Sequence, residues 1–158
     1  MNWQQVLEDK SLQDLPYKIE LNRWGQIVMS PAKRRHSGFQ GKIEYFLRKL
    51  RPEGEVFPEC PIDTSDNVKV ADAVWVSPER YKIIRDEDIC SIAPEICVEV
   101  KSPSNNEQEI MAKKSLYLEA GAIEYWVCQE NGAMSFYNKD GKLATSVLVP
   151  GFPGRIEI

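Results

Sequence analysis

Apolar residues recur at three- and four-residue spacing at Phe39, Ile43, Phe46, Leu47 and Leu50, which predicts a helix from about Ser37 to Leu50. Arg51-Pro52-Glu53-Gly54 ends it. Met1 to Asp14 reads as a short amphipathic helix through Trp3, Val6 and Leu7, stopped by Pro16. Tyr17 to Leu21 and Gln26 to Ser30 read as short strands. Asn22 to Gly25 joins them, with Gly25 suited to a turn of positive φ. Glu55 to Cys60, Val68 to Val76 and Glu95 to Val100 are further strands, and Pro78 to Asp88 is a charged connection with a helical turn. After Ser102-Pro103-Ser104 a helix runs from about Asn106 to Ala120 and closes at Gly121, the residue favoured just past a helix end. Glu124 to Gln129, Met134 to Asn138 and Thr145 to Val149 complete the strands, with hairpin dipeptides at Asn131-Gly132 and Asp140-Gly141. Strands, helix, strands, helix, strands in that order predict an α/β fold with a mixed central sheet flanked by helices.

A length of 158 residues fits one domain spanning the chain, 1–158. With 42% hydrophobic and 28% charged residues the balance is that of a soluble globular protein, not a disordered one. Mean hydropathy is -0.41, and no apolar run approaches the roughly 18 residues of a membrane span. Met-Asn-Trp-Gln-Gln opens the chain without the basic and apolar regions of a secretory signal, so the expected location is cytoplasmic. Twenty basic and 24 acidic residues give a net charge of -4, which argues against a broad DNA-coating face but leaves room for a local basic cleft. The four cysteines, Cys60, Cys90, Cys97 and Cys128, form no Cys-x-x-Cys pair, and His36 is the single histidine. Zinc is therefore set aside, and buried free thiols are expected.

Two strands carry polar residues where burial predicts none. From Val70 to Val76 every residue is apolar except Asp72, as though the strand were covered on both faces. A carboxylate there is costly unless paired, hydrogen-bonded or bound to a metal. Asp72 is thus either a structural acceptor of backbone hydrogen bonds or a functional ligand. In Pro94 to Ser102, alternation puts Ile96, Val98 and Val100 on one face and Cys97, Glu99 and Lys101 on the other. Glu99 and Lys101 are either an ordinary exposed pair or, with Asp72, the makings of a site. Two hard oxygen ligands from adjacent strands suit Mg²⁺, which polarises phosphate and acidifies water, and a lysine can orient that water or steady phosphate charge. Such a trio suits phosphodiester hydrolysis.

Asp72 followed by Glu99-Val100-Lys101 resembles the core pattern of the PD-(D/E)XK nuclease superfamily. Longer stretches are similar to one of its members, the Uma-two family of putative restriction endonucleases, which is widespread in bacteria. Glu20-Leu21 with Gly25 to Pro31 resembles its N-terminal hairpin, and His36 follows before the first helix. Ala71-Asp72, Pro94-Glu95 through Glu99 to Ser104, Lys113 with Tyr117, and Gly121 to Val127 match further blocks in order. The chain stops at Gly154 to Ile158, where members usually continue, so a shortened version is expected.

The resemblance implies a restriction-endonuclease-like core. It implies Asp72 and Glu99 as Mg²⁺ ligands (Mn²⁺ as substitute), with the Val100 carbonyl as third, and Lys101 as the catalytic lysine. Lys113 is a second candidate lysine, its other reading being a solvent pair with Glu109 at i, i+4. On the first helix Gln40 and Glu44 are candidates to join the site, against an exposed helix face for Glu44, and His36 reads as a structural hydrogen-bonding residue before a base. The implied function is a Mg²⁺-dependent endonuclease acting on DNA, as a homodimer if both strands are cut. The alternatives are a non-cleaving nuclease-fold module that binds nucleic acid or protein, and a structural domain. Lys33-Arg34-Arg35 and Arg48-Lys49-Arg51 bracket the first helix, either to touch phosphates or as solvated surface.

Overall fold

The apolar stretch around Val70 to Val76 becomes the buried second strand of a six-stranded sheet. The structure, a computed structural model, describes residues 1–31 and 34–158. In chain order it comprises α1 (Trp3–Glu8), a 3-10 turn (Lys10–Leu12), β1 (Tyr17–Leu21), β2 (Ile27–Pro31), α2 (Arg34–Leu50), β3 (Glu55–Thr64), β4 (Asn67–Val76), α3 (Pro78–Ile84), β5 (Ile96–Val100), α4 (Glu107–Glu119), β6 (Glu124–Cys128), β7 (Met134–Asn138) and β8 (Gly141–Leu143). Strands β3 to β8 lie side by side in sequence order. Every neighbour is antiparallel except β5 and β6, which run parallel because α4 crosses over between them. The expected mixed α/β sheet is what forms. Strands β1 and β2 stand apart as an antiparallel hairpin.

Each face of the sheet buries its own core. Phe39, Ile43 and Leu47 of α2 pack on Trp75, Val98, Trp126 and Phe136, and Val149, Phe152 and Ile156 of the C-terminal segment complete that layer. On the other face Ile84 of α3 and Ile110 and Tyr117 of α4 cover Val74, Cys97 and Tyr125. A smaller cluster of Trp3, Val6, Leu21, Val68 and Val70 fastens α1 and the hairpin to the projecting end of β4. Gly25 and Gly121 have φ of 74° and 117°, as a tight turn and a helix end require.

Several boundaries differ from expectation, among them β3, which runs on to Thr64 past the expected end at Cys60. The first helix is short because Asn2 and Gln5 cap one another's backbone at its start and Asp9 opens a separate 3-10 turn. Helix α2 begins at Arg34, not Ser37. Thr145 to Val149 is no strand: the Val147 and Leu148 N–H groups donate to the Glu124 carboxyl at 2.9 Å each, leaving no ladder, and the last strand is β8 instead. All four cysteines are buried and free. Among the described residues no helix is long and apolar enough to cross a membrane.

Candidate active site

Antiparallel pairing of β4 with β5 couples Trp75 to Ile96, Val74 to Cys97 and Ala73 to Val98. The next pair in that register is Asp72 and Glu99, and there the ladder stops. Side chains on directly opposed strand positions share a face, so the two carboxyl groups meet where the strands part. Both residues are only 2% exposed. Instead of a strand partner, the Val100 N–H donates to Asp72 Oδ2 at 2.8 Å.

Burial of two acids in contact requires compensating donors, and three elements supply them. On β1, alternation sends Lys18 and Glu20 to one side of the strand. Lys18 Nζ donates to Asp72 Oδ1 at 3.0 Å, to Glu99 Oε2 at 3.1 Å and to the Val70 carbonyl at 2.9 Å. On α4, Lys113 and Tyr117 are one helical turn apart and reach the other oxygen: Lys113 Nζ lies 2.7 Å and Tyr117 Oη 3.2 Å from Glu99 Oε1. Lys113 is held in turn by Glu20, at 2.9 Å, while Glu20 accepts the Val70 N–H at 2.8 Å. On α2, His36 and Gln40 are likewise a turn apart. His36 Nε2 lies 3.2 Å from Asp72 Oδ2, and Gln40 Nε2 donates to the Asp72 carbonyl at 2.6 Å. The result is a row of alternating charge: Asp72, Lys18, Glu99, Lys113, Glu20.

This row separates the two acids electrostatically. Burial opposes ionisation of Asp72, but the Lys18 ammonium and the hydrogen bond from His36 outweigh it and hold Asp72 well below the usual carboxylate range. For Glu99, burial dominates over the attraction of Lys113 and Lys18, and with Asp72 beside it the carboxyl is pushed up to about 7. Burial works against the Lys18 charge, yet Asp72, Glu99 and Glu20 keep its ammonium more basic than usual. His36 is likewise raised: burial disfavours its charge, but the hydrogen bond and charge of Asp72 prevail.

The row forms one wall of a cleft of about 500 Å³. Tyr17, Val28 and Met29 of the hairpin line its mouth and are each more than 40% exposed. Among the described residues no group of three or more His, Cys, Asp and Glu side chains forms a ligand set. The Asp72 and Glu99 carboxyls do converge on one cation, the Lys18 ammonium. Mg²⁺ needs only one or two carboxylates, its other ligands being water and phosphate, so the donors present fit such an ion.

Of the residues singled out in the sequence, Asp72, Glu99 and Lys113 come together. Lys113 pairs with Glu99 and Glu20, while Glu109 bonds to Asn105 and Asn106. Val100 joins through its N–H, and the Val70 carbonyl shares the Lys18 ammonium with the two carboxylates. The face shared by Glu99 and Lys101 is corrected. Strand β5 ends at Val100, the Lys101 N–H donates to Cys128 at 2.8 Å, and its ammonium pairs with Glu107 at 3.4 Å. Lys101 lines an adjoining recess of about 250 Å³ with Arg35 and His36. Glu44 lies outside the cleft and pairs with Arg48 at 3.7 Å. Arg34 and Arg35 are exposed at the start of α2, whereas Lys33 lies outside the described residues. Arg51 is spent on packing, with its guanidinium 4.5 Å from the Trp75 ring and bonded to the Leu148 carbonyl. Lys18 escaped the sequence reading, and Glu20 and Tyr117 entered it only through the resemblance. The available signal was Lys18 and Glu20 alternating with Ile19 and Leu21 along a short strand.

A family model described as "Putative restriction endonuclease" (Uma2) matches residues 7–153. Among solved structures, a putative nuclease of the DUF820 group from Anabaena variabilis superposes with a TM-score of 0.66 at 21% identity. The match covers 76% of this chain and 71% of that one, and it establishes likeness of fold. No curated protein matches the chain.

Proposed function

Because the chain belongs to the Uma2 family, we propose that it is a metal-dependent endonuclease that hydrolyses phosphodiester bonds in DNA at the Asp72–Glu99 cleft. The observation that carries this reading is the pair of buried carboxyls converging on one cation position, with a second lysine, Lys113, 2.7 Å from Glu99. Asp72 and Glu99 would hold Mg²⁺ or Mn²⁺, which supplies Lewis acidity to the phosphate and lowers the pKa of water. The protein's own groups prepare the rest. His36 and the Val100 N–H fix Asp72 in place. Tyr117 fixes the Glu99 oxygen that faces α4. Lys113, steadied by Glu20, presents its ammonium to charge that builds on phosphate. In this reading Lys113 takes the role that the resemblance gave to Lys101, and Lys101 with Arg35 meets a flanking phosphate from the adjoining recess. Cutting both strands takes two such clefts, hence a homodimer.

One observation favours a non-cleaving binding module as the second reading: Lys18 already bridges both acids without metal. Cleavage of plasmid DNA in Mg²⁺ separates the two. Glu99→Gln and Lys113→Ala should each lower the rate by about a hundredfold or more, and Lys101→Ala by less than about tenfold. Nicking at the wild-type rate by clean Glu99→Gln protein would sink the endonuclease.

A further inference from the structure

The cation position between Asp72 and Glu99 is filled by a residue of the chain itself. Lys18 Nζ takes oxygens from Val70, Asp72 and Glu99 at 2.9, 3.0 and 3.1 Å. Those are the oxygens at which a hard divalent ion would be held, at about 2.0–2.1 Å for Mg²⁺. An ion and the ammonium cannot share that point: both are cations, and the space between two carboxyls in contact with one nitrogen admits one of them. We propose that Lys18 is an internal competitor for the metal, and that an ion enters only as the Lys18 side chain swings away into the cleft. This rests on the cleft being the metal-dependent phosphodiesterase site.

The element that carries Lys18 is built for such a release. Strand β1 belongs to the two-stranded hairpin and not to the six-stranded sheet. Its neighbour across the hairpin, Ser30, faces the same cleft. The Lys18 side chain is 15% exposed, against 3% for each carboxyl it touches, so its open side is the cleft. An ammonium displaced from two carboxylates loses its counter-ions and needs others. The anion available there is the phosphodiester that the cleft would take. Metal and substrate then bind cooperatively: the ion frees Lys18, and the freed ammonium binds the phosphate. By linkage the phosphate raises metal affinity by the same factor. With no nucleic acid present the two acids stay paired to Lys18 and the site is low in metal affinity.

The test measures Mn²⁺ binding by calorimetry or electron paramagnetic resonance, without turnover. Lys18→Met should bind Mn²⁺ about tenfold or more tightly than wild type. Lys113→Met is the control, because it removes an equal charge from the other Glu99 oxygen without emptying the shared position. Its gain should be clearly smaller. In the wild type, Mn²⁺ should speed acylation of the Lys18 amine by a water-soluble ester, read by mass spectrometry, and leave distant lysines unchanged. This arm needs no variant and stands if Lys18→Met fails to fold. With Ca²⁺ as the ion, a short DNA duplex should raise metal affinity about tenfold in wild type and far less in Lys18→Met. Equal gains in the two lysine variants, or Lys18 labelling that Mn²⁺ leaves unchanged, would overturn the proposal while the nuclease reading stands. Failure of every form to bind Mn²⁺ would overturn both.

Discussion

Glu99 is the residue whose environment makes the sharpest demand on pH. Its carboxyl is pushed from the ordinary 4.5 up to about 7, chiefly by burial. A raised folded value means that the folded state holds the proton more tightly than the unfolded chain. The stability from this group is therefore fully present below pH 4.5 and lost as pH rises through about 7. The shift of His36 is also upward and works in the same direction, while Asp72, shifted down, loses its contribution only at pH below the ordinary carboxylate range. In metal-free buffer, urea unfolding should find the protein less stable at pH 8 than at pH 5, with roughly 3 kcal/mol owed to Glu99. Glu99→Gln should show a much flatter profile. A wild-type profile that rises over this interval, or an unchanged slope in the variant, would remove the assigned environment of Glu99. At this scale the sequence was informative where a residue broke a pattern. Asp72 stood alone in an apolar run, and Glu99 opposed it on the next strand. Lys101 was misplaced because alternation was carried one residue past the end of β5 at Val100. Lys18 broke no pattern, because a lysine in a short half-exposed strand is ordinary, and its partners lie 54 and 81 residues away in the chain.

Among the elements, the C-terminal segment depends on one buried acid. Glu124 opens β6 and is 1% exposed. Its carboxyl accepts from Trp126 Nε1 at 2.8 Å, Ser146 Oγ at 2.6 Å, and the Val147 and Leu148 N–H groups at 2.9 Å each. These bonds hold the turn that brings Val149 and Phe152 onto the α2 face of the sheet. Glu124→Ala would leave several buried donors unpaired, a loss of about 3 kcal/mol. For a domain of this length that lowers the melting temperature by roughly 6–12 °C. Calorimetry of both proteins checks it, and a change of less than about 1 kcal/mol would show that water replaces the carboxyl freely. The same contact explains why Thr145 to Val149 misled as a strand. Its β-branched and apolar residues suit a strand, but Ser146 and Val149 are buried while Val147 is exposed, because a side-chain clamp from β6 sets the path, which no local pattern reveals. Helices α2 and α4 and strands β1, β4 and β5 were legible because their periodicity, turn glycines and caps agree with their packing.

Across the whole molecule, a net charge of -4 must be reconciled with the anionic substrate proposed for the cleft. The exposed Arg34 and Arg35 lie at the end of α2 that carries His36 to the cleft, whereas the second basic cluster is partly committed to packing through Arg51. DNA affinity, measured by fluorescence anisotropy in Ca²⁺, should fall steeply with salt, and Arg34→Glu with Arg35→Glu should weaken it uniformly across sequences and flatten the salt slope. Salt-insensitive binding, or an unaffected double variant, would place the DNA path elsewhere. The charge total alone could not locate this path, since it depends on which basic residues the fold has already occupied. Strand order adds a consequence for how the molecule assembles. Because β3 to β8 are neighbours in the order in which they occur in the chain, the sheet can grow by adding each strand to the one just formed, with modest loop closure at each step. The side chains of the Asp72–Glu99 cluster obey no such order: they come from β1, α2, β4, β5 and α4. A nascent or partly unfolded chain that holds its sheet thus already has Asp72 and Glu99 side by side, while Lys18 and Glu20 arrive only when the hairpin docks, so until then the two acids meet without the ammonium that compensates them.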